Sequence, residues 1–129
     1  MSPRLLAGAG RTAVASVWLY EGLWCKLLAA DAGQRTIVGG VPGIGDAAGV
    51  ALAAIGVAET ALAGWVLSGR ATRLAAVVQT GMLVVFNAGG LLFGANRISE
   101  PGRMLTSNAA LLAAAWLLAR DAAPDRRHA

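Results

Sequence analysis

The chain is poor in the residues that build soluble cores and metal sites. Charged residues make up 14% and aromatic residues 5% of its 129 residues, whereas ordinary soluble domains carry about 25% charged residues. Its one cysteine, Cys25, excludes an internal disulfide, and its one histidine, His128, leaves no cysteine and histidine spacing for a metal. The net charge of +4 is scattered and does not alternate with aromatics, which argues against nucleic-acid binding.

Alanine and glycine are instead abundant, with 29 and 17 residues. Small residues let helix backbones approach closely in lipid. A membrane-spanning helix needs about 20 mostly apolar residues, and four stretches reach or approach that length. We therefore predict an all-α fold in which a single domain, residues 1–129, forms a four-helix bundle integral to the membrane. The predicted spans are residues 12–30, 47–69, 74–95 and 104–119.

The links between these stretches are polar or are broken by glycine and proline. Residues 31–46 are glycine-rich and contain Pro42, so we expect a loop that does not span. Four spans place both termini and the turn at Arg70 on one side, and the excess of basic residues there predicts that this side is cytoplasmic. Its basic residues are Arg4, Arg11, Arg70, Arg73, Arg120, Arg126 and Arg127, against Lys26, Arg35, Arg97 and Arg103 on the outer side.

Polar residues interrupt the predicted spans. A charged side chain at the bilayer centre costs roughly 2.5 to 3.5 kcal/mol, and such residues usually face the interior and mark a pathway or a site. At 1.5 Å of rise per residue, five of them lie roughly 6 to 18 Å below the outer ends of their helices. We therefore predict a polar column that opens to the outer face, formed by Glu21, Lys26, Glu59, Asn87 and Asn108.

Helix packing is the alternative role for these groups, since a hydrogen bond between membrane helices contributes about 0.6 kcal/mol. Packing is as good an interpretation as function for Asn87 and Asn108, and it is the better one for Gln79, which lies nearer the cytoplasmic side. For Glu21 and Glu59 a functional role is favoured, because ionisable groups cost more to retain in a membrane.

The spacing of Glu21 and Lys26 argues against a direct contact. Five residues correspond to about 140° on an α-helix, so the two side chains are expected to be poor partners. Lys26 is instead expected to extend outward to the interface or to meet Glu59 or Asn108 on another helix.

Two further patterns have alternatives of their own. Trp18, Tyr20 and Trp24 surround Glu21 in the sequence; they are candidates for the wall of a flat pocket, although aromatic residues more often simply pack. On the second span, Gly56, Thr60 and Gly64 recur every four residues and predict a groove for a partner helix or a second copy. We expect this groove and Glu59 to face different neighbours.

The stretch WLYEGLWCKLL, residues 18–28, resembles the DoxX-like family of small four-helix bacterial membrane proteins. Members tend to carry an aromatic-rich first helix with a glutamate, then Gly-Leu, then a lysine before a leucine pair. Residues 56–67 and 101–118 resemble the family's second and last helices. This chain departs from the pattern at Cys25, where proline is frequent, and at Ser107, where a lysine is common. The family-typical positions are Glu21, Gly22, Lys26, Glu59 and Asn108.

The resemblance implies a multi-pass protein of the bacterial inner membrane. Some relatives are membrane subunits of thiosulfate:quinone oxidoreductase, and others are thought to anchor redox and detoxifying enzymes. It therefore implies membrane lipid and other membrane-associated proteins as partners, and a quinone as an associated cofactor. The chain itself is expected to bind no haem, flavin or metal, because its sequence offers no ligand set for one.

Three functions follow as hypotheses. The first is a subunit of a redox-linked or quinone-linked membrane assembly, in which a carboxyl of the polar column exchanges a proton. The second is a structural or assembly protein whose polar residues only set helix packing. The third is a pathway for a small solute or proton, which would require a homo-oligomer because four helices leave little room. Whether the chain is itself an enzyme stays open.

Overall fold

The computed structural model describes residues 2–28, 32–94, 96, 98 and 100–122, and every regular element within these ranges is helical. Helix α1 (Pro3–Leu19) continues directly into a π-helical segment (Tyr20–Leu28). A short helix, α2 (Ala32–Gly39), and a 3₁₀ turn (Gly45–Ala47) follow. Three long helices complete the described fold, namely α3 (Ala48–Ser68), α4 (Thr72–Gly94) and α5 (Pro101–Asp121).

Local sequence signals account for the helix ends. The hydroxyl of Ser2 accepts a hydrogen bond from the amide of Leu5 at 3.2 Å, and Pro3 occupies the first turn, so α1 has a regular N-cap. Helix α3 ends at Ser68, and the φ of 68° at the following Gly69 is the left-handed conformation typical of a glycine after a helix. Pro101 begins α5, where its missing N–H costs no helical hydrogen bond.

The long elements pack side by side around one apolar core. Helix α1 and the π segment lie against α3, α4 lies against α5, and α5 also contacts α1. We call the end where α1 and α4 begin and α3 and α5 finish the basic end, and we call the opposite end the loop end. The core cluster consists of Val14, Ala15, Trp18, Leu62, Ala63, Val66, Leu83 and Leu111.

Two elements differ from the expected layout. The first predicted span is part of a longer helical unit that begins at Pro3 and changes to π-helix at Tyr20, while residues 29 and 30 lie outside the described residues. Where we expected only a loop, α2 forms and packs on α4. Gly94 leaves room for this contact, since a Cβ on it would lie 2.7 Å from Cγ2 of Ile37.

Of the described helices, two are long and apolar enough to cross a membrane, namely Gly45–Ser68 with its leading 3₁₀ turn and Thr72–Gly94. The other two long segments do not pass the same test of length and composition. An all-helical fold with two such helices is compatible with a helical membrane bundle. Insertion into a membrane and the side on which the termini lie remain predictions.

Candidate functional site

Three ionisable side chains meet where the π segment packs on α3. The ammonium of Lys26 lies 2.7 Å from Oε1 of Glu59 and 3.5 Å from Oε2 of Glu21. The side chain of Glu59 is 3% exposed, that of Lys26 10% and that of Glu21 42%. This group, which we call the ionic triad, therefore runs from a buried carboxylate on α3 to a partly exposed one on the π segment.

The expectation that Glu21 and Lys26 are poor partners is wrong, because the helix between them is not an α-helix. A π-helix pairs residue i with residue i+5, which places Lys26 over Glu21 instead of well around the axis. Besides the ion pair, the Lys26 ammonium donates a hydrogen bond to the backbone carbonyl of Glu21 at 3.2 Å. Of the two partners predicted on other helices, Lys26 meets Glu59.

The contact between Lys26 and Glu59 depends on two glycines that face each other. A Cβ on Gly22 would lie 2.7 Å from the carbonyl oxygen of Gly56 and 2.8 Å from Cβ of Glu59. A Cβ on Gly56 would lie 2.9 Å from both the Gly22 carbonyl oxygen and Cβ of Lys26. Because neither position has a side chain, the two backbones approach closely enough for a lysine on one helix to reach a buried carboxylate on the other.

This packing corrects the expectation for the small-residue groove. Gly56 and Glu59 face the same neighbour, the π segment, and not different ones. Thr60 uses its hydroxyl within α3, where it donates to the Gly56 carbonyl at 2.7 Å. Gly64 is exposed, and an added Cβ there would meet nothing within 4 Å.

The geometry at Glu59 is that of an ion pair without a regular hydrogen bond. Its Oε1 is fully buried and, among the described residues, accepts no hydrogen bond of acceptable angle, although the Lys26 ammonium is 2.7 Å away. The distance between the two groups is short enough for an electrostatic contact, but the angle between them is not that of a hydrogen bond. A buried carboxylate held only by charge costs more to retain than one that is also hydrogen-bonded.

The remaining polar residues of the predicted column form a second group. The amide Nδ2 of Asn108 donates to Oδ1 of Asn87 at 2.8 Å, which joins α5 to α4. Asn87 donates in turn to the backbone carbonyl of Leu83. The described contacts thus arrange the five predicted residues as the ionic triad on one helix pair and an asparagine pair on the other.

The aromatic candidates separate. Trp18 is 2% exposed, lies in the core and donates its indole N–H to Oε1 of Gln79 at 2.9 Å. Tyr20 and Trp24 are 59% and 54% exposed and lie on the outside of the π segment. Trp18 therefore does not form one pocket wall with Tyr20 and Trp24. Gln79 has the cross-helix hydrogen bond that is expected of a packing residue.

Sequence reasoning missed the π-helix and the pairing of Trp18 with Gln79. Gly22 was singled out only through the family resemblance, although a small residue in an apolar helical stretch is a signal for close approach of helices. Residues 18 and 79 are on different helices, and no local pattern links them.

The site combines charges of both signs between two helices. Among its three side chains, one ammonium faces two carboxylates, and the more exposed carboxylate is the one that a ligand outside the helix pair can reach. Among the described residues, no group of three or more histidine, cysteine or acidic side chains could hold a metal ion.

These features define a small all-helical protein with long apolar helices and an ionic site between two of them. The sequence profile of the DoxX-like family matches residues 15–116, from the second half of α1 well into α5. The chain belongs to the DoxX-like family, and this membership indicates a small membrane protein. No curated protein and no solved structure matches the chain.

Proposed function

We propose that this chain is a small integral membrane subunit of a quinone-linked redox assembly, and that the ionic triad exchanges a proton within a polar column that opens to the outer face. The observation that carries the proposal is the buried ion pair of Lys26 and Glu59 with Glu21 beside it at the surface. π-helical segments within longer helices are frequent at functional sites.

The distribution of apolar and polar side chains supports membrane insertion. Large apolar side chains are exposed along the middle of the helices, including Val57 on α3 and Val77, Val84 and Val85 on α4. Such a surface is unfavourable in water and suits lipid. The buried polar residue Glu59 lies roughly 16 Å from the start of α3, near the middle of a span.

The triad suits proton exchange because its charges do not balance by themselves. With all three groups ionised, two carboxylates face one ammonium, and a proton on either carboxylate would neutralise the site. A carboxyl that takes up and releases a proton within hydrogen-bond reach of a reacting group is a general acid and base. Glu21 is the exchange residue in this scheme, and Lys26 links it to Glu59.

Exposed aromatic and apolar side chains beside Glu21 support a quinone as the ligand. Tyr20, Trp24 and Leu28 are exposed at four-residue intervals along the π segment, and Glu21 borders this stripe. An apolar ring would lie along the stripe with one oxygen toward the Glu21 carboxyl. The quinone would supply the electron-accepting chemistry, while the chain's own residues bind the ring and hold the proton.

Purification of the tagged chain from its native membrane in mild detergent tests the assembly. Mass spectrometry and an absorption spectrum should reveal a stoichiometric partner that carries haem or flavin, or a bound quinone. A colourless homo-oligomer without a partner would refute the redox assignment and favour a pathway formed between copies.

Substitution of the carboxylates tests the site. Glu21→Gln and Glu59→Gln should each lower the quinone-linked turnover of the assembly by about 100-fold or more, since general acid–base catalysis contributes about 10²- to 10⁴-fold. Glu100→Gln is the matched control, because Glu100 is an exposed carboxylate at the start of α5 that pairs with Arg103. Unchanged turnover in the two triad variants would refute the proton role.

A structural or assembly role is the second candidate, and two cross-helix hydrogen bonds favour it. Trp18 to Gln79 and Asn108 to Asn87 each join two helices through side chains that are buried or partly buried. If the Glu59→Gln variant lost thermal stability in detergent while the turnover per folded assembly stayed normal, packing would be the role of the triad as well.

A further inference from the structure

We infer that the basic end of the structure holds the phosphate of an anionic phospholipid between the guanidinium groups of Arg11 and Arg70. This inference rests on the membrane location proposed above and concerns a different part of the molecule. The two arginines line one depression, together with Trp65, Thr72 and Gln79.

Within the part of the chain that the structure describes, the arginines of this depression have no acidic partner. Arg11 is half-buried, none of the described residues that line the depression is acidic, and no described carboxylate forms an ion pair with Arg11 or Arg70. Arg120, at the same end, is in contrast already paired with Asp121 at 3.0 Å. A half-buried guanidinium without a counter-charge is a ready donor for a phosphate oxygen.

The turn that carries Arg70 is held in place by its neighbours. The indole N–H of Trp65 donates to the Arg70 carbonyl at 2.8 Å, and the Arg70 amide donates to the Ser68 hydroxyl at 3.2 Å. Ala71, the next residue, has a φ of 46°, a left-handed conformation that costs an alanine about 1 kcal/mol or more. Strain of this kind persists where the surrounding structure fixes it, and it is frequent at binding sites.

Arg11 reaches this turn from α1 through the space left by a glycine. A Cβ on Gly69 would lie 3.4 to 3.5 Å from the Nε, Cδ and Cζ atoms of Arg11. The guanidinium therefore lies beside the end of α3, where the helix dipole also favours a cation. A positive group from α1 and one from the turn after α3 thus line the same depression.

The shape of the depression favours a lipid headgroup at its mouth over a ligand inside it. The depression is small, since its empty space is about 240 Å³ even with the open solvent at its mouth included. Exposed Leu67 and Leu74 flank the same turn, so a ligand seated there has apolar surface beside it. A phosphate on the arginines and acyl chains on the leucines match a phospholipid, and basic pockets of this kind bind anionic headgroups.

Lipid co-purification from nanodiscs of phosphatidylcholine with added phosphatidylglycerol tests the inference. Each of Arg11→Gln and Arg70→Gln should lower the enrichment of phosphatidylglycerol on the protein about fivefold, as expected for a loss of about 1 kcal/mol per basic residue. Arg103→Gln, an exposed arginine at the loop end that pairs with Glu100, is the matched control and should retain the enrichment. Equal enrichment in all variants would overturn the site.

Three outcomes distinguish a lipid site from a purely structural arginine and from a site for free phosphate. If Arg11 only stabilises the end of α3, Arg11→Gln lowers the stability of the protein equally in phosphatidylcholine and phosphatidylglycerol. The enrichment of phosphatidylglycerol is then unchanged, and this result overturns the inference. If inorganic phosphate displaces the lipid and stabilises the turn equally well, the ligand is free phosphate. That result overturns the assignment of the site to a lipid. If the wild-type protein fails to float with vesicles, the membrane proposal fails; flotation without selectivity refutes only the lipid site.

Discussion

Replacement of Gly22 by alanine should break the ionic triad without touching a charged residue. An added Cβ would lie 2.7 Å from the Gly56 carbonyl oxygen, whereas ordinary contacts begin near 3.4 Å. The π segment and α3 must therefore separate by about 0.7 Å, because a backbone oxygen cannot rotate away. The 2.7 Å contact of Lys26 with Glu59 would lengthen with them.

Overpacking of this kind typically costs about 1–3 kcal/mol. The matched control is Gly64→Ala on α3, where an added Cβ meets nothing within 4 Å. Alanine at such an exposed helical site is more favourable than glycine by about 0.5–1 kcal/mol. Gly22→Ala should therefore lower the free energy of unfolding and Gly64→Ala should raise it.

Reversible unfolding in mixed detergent micelles, followed by far-UV circular dichroism, measures both changes. The two variants should differ by at least about 1 kcal/mol, given these opposing contributions. Equal stability of Gly22→Ala and Gly64→Ala would refute the close approach of the π segment to α3.

Two further substitutions test the buried polar contacts by the same unfolding measurement. Lys26→Met should lower the free energy of unfolding by about 3–5 kcal/mol, because it leaves the buried Glu59 carboxylate without its cation. The double variant with Glu59→Gln should recover part of that loss. If the effects of the two substitutions were simply additive, the pairing of Lys26 with Glu59 would be contradicted. Trp18→Phe should lower the free energy of unfolding by about 1–3 kcal/mol, because it leaves the buried Gln79 oxygen unpaired. Trp65→Phe should cost less, because the indole of Trp65 donates its hydrogen bond to an exposed turn. The reverse order would contradict the argument from burial.

The sequence predicted the kinds of element better than their internal geometry. Where apolar runs predicted helices at residues 47–69 and 74–95, the structure has helices Ala48–Ser68 and Thr72–Gly94. The cost of a polar group in lipid pointed to five residues, because that argument depends on residue type and depth alone. Three of them, Glu21, Lys26 and Glu59, meet in the structure.

The arrangement within the set could not be predicted from spacing. The angle between Glu21 and Lys26 followed from an α-helical repeat, and nothing in the composition of residues 20–28 distinguishes a π-helix from an α-helix. The pairing of Trp18 with Gln79 depends on how two helices rotate against each other, which is decided by the packing of the whole core. Short α2 was missed because its glycine-rich sequence favours a loop, whereas the contact of Ile37 with Gly94 depends on the tertiary packing.

The facing pair of Gly22 and Gly56 has a consequence for how this sequence can change over time. At most packed contacts, a larger residue on one side can be matched by a smaller one on the other. Here both sides already have the smallest residue, and each would clash with backbone atoms of the other helix. A larger residue at either position therefore cannot be compensated by a smaller one at the other. Sequence drift at this contact can only lose the close approach of the two helices and cannot restore it with other residues.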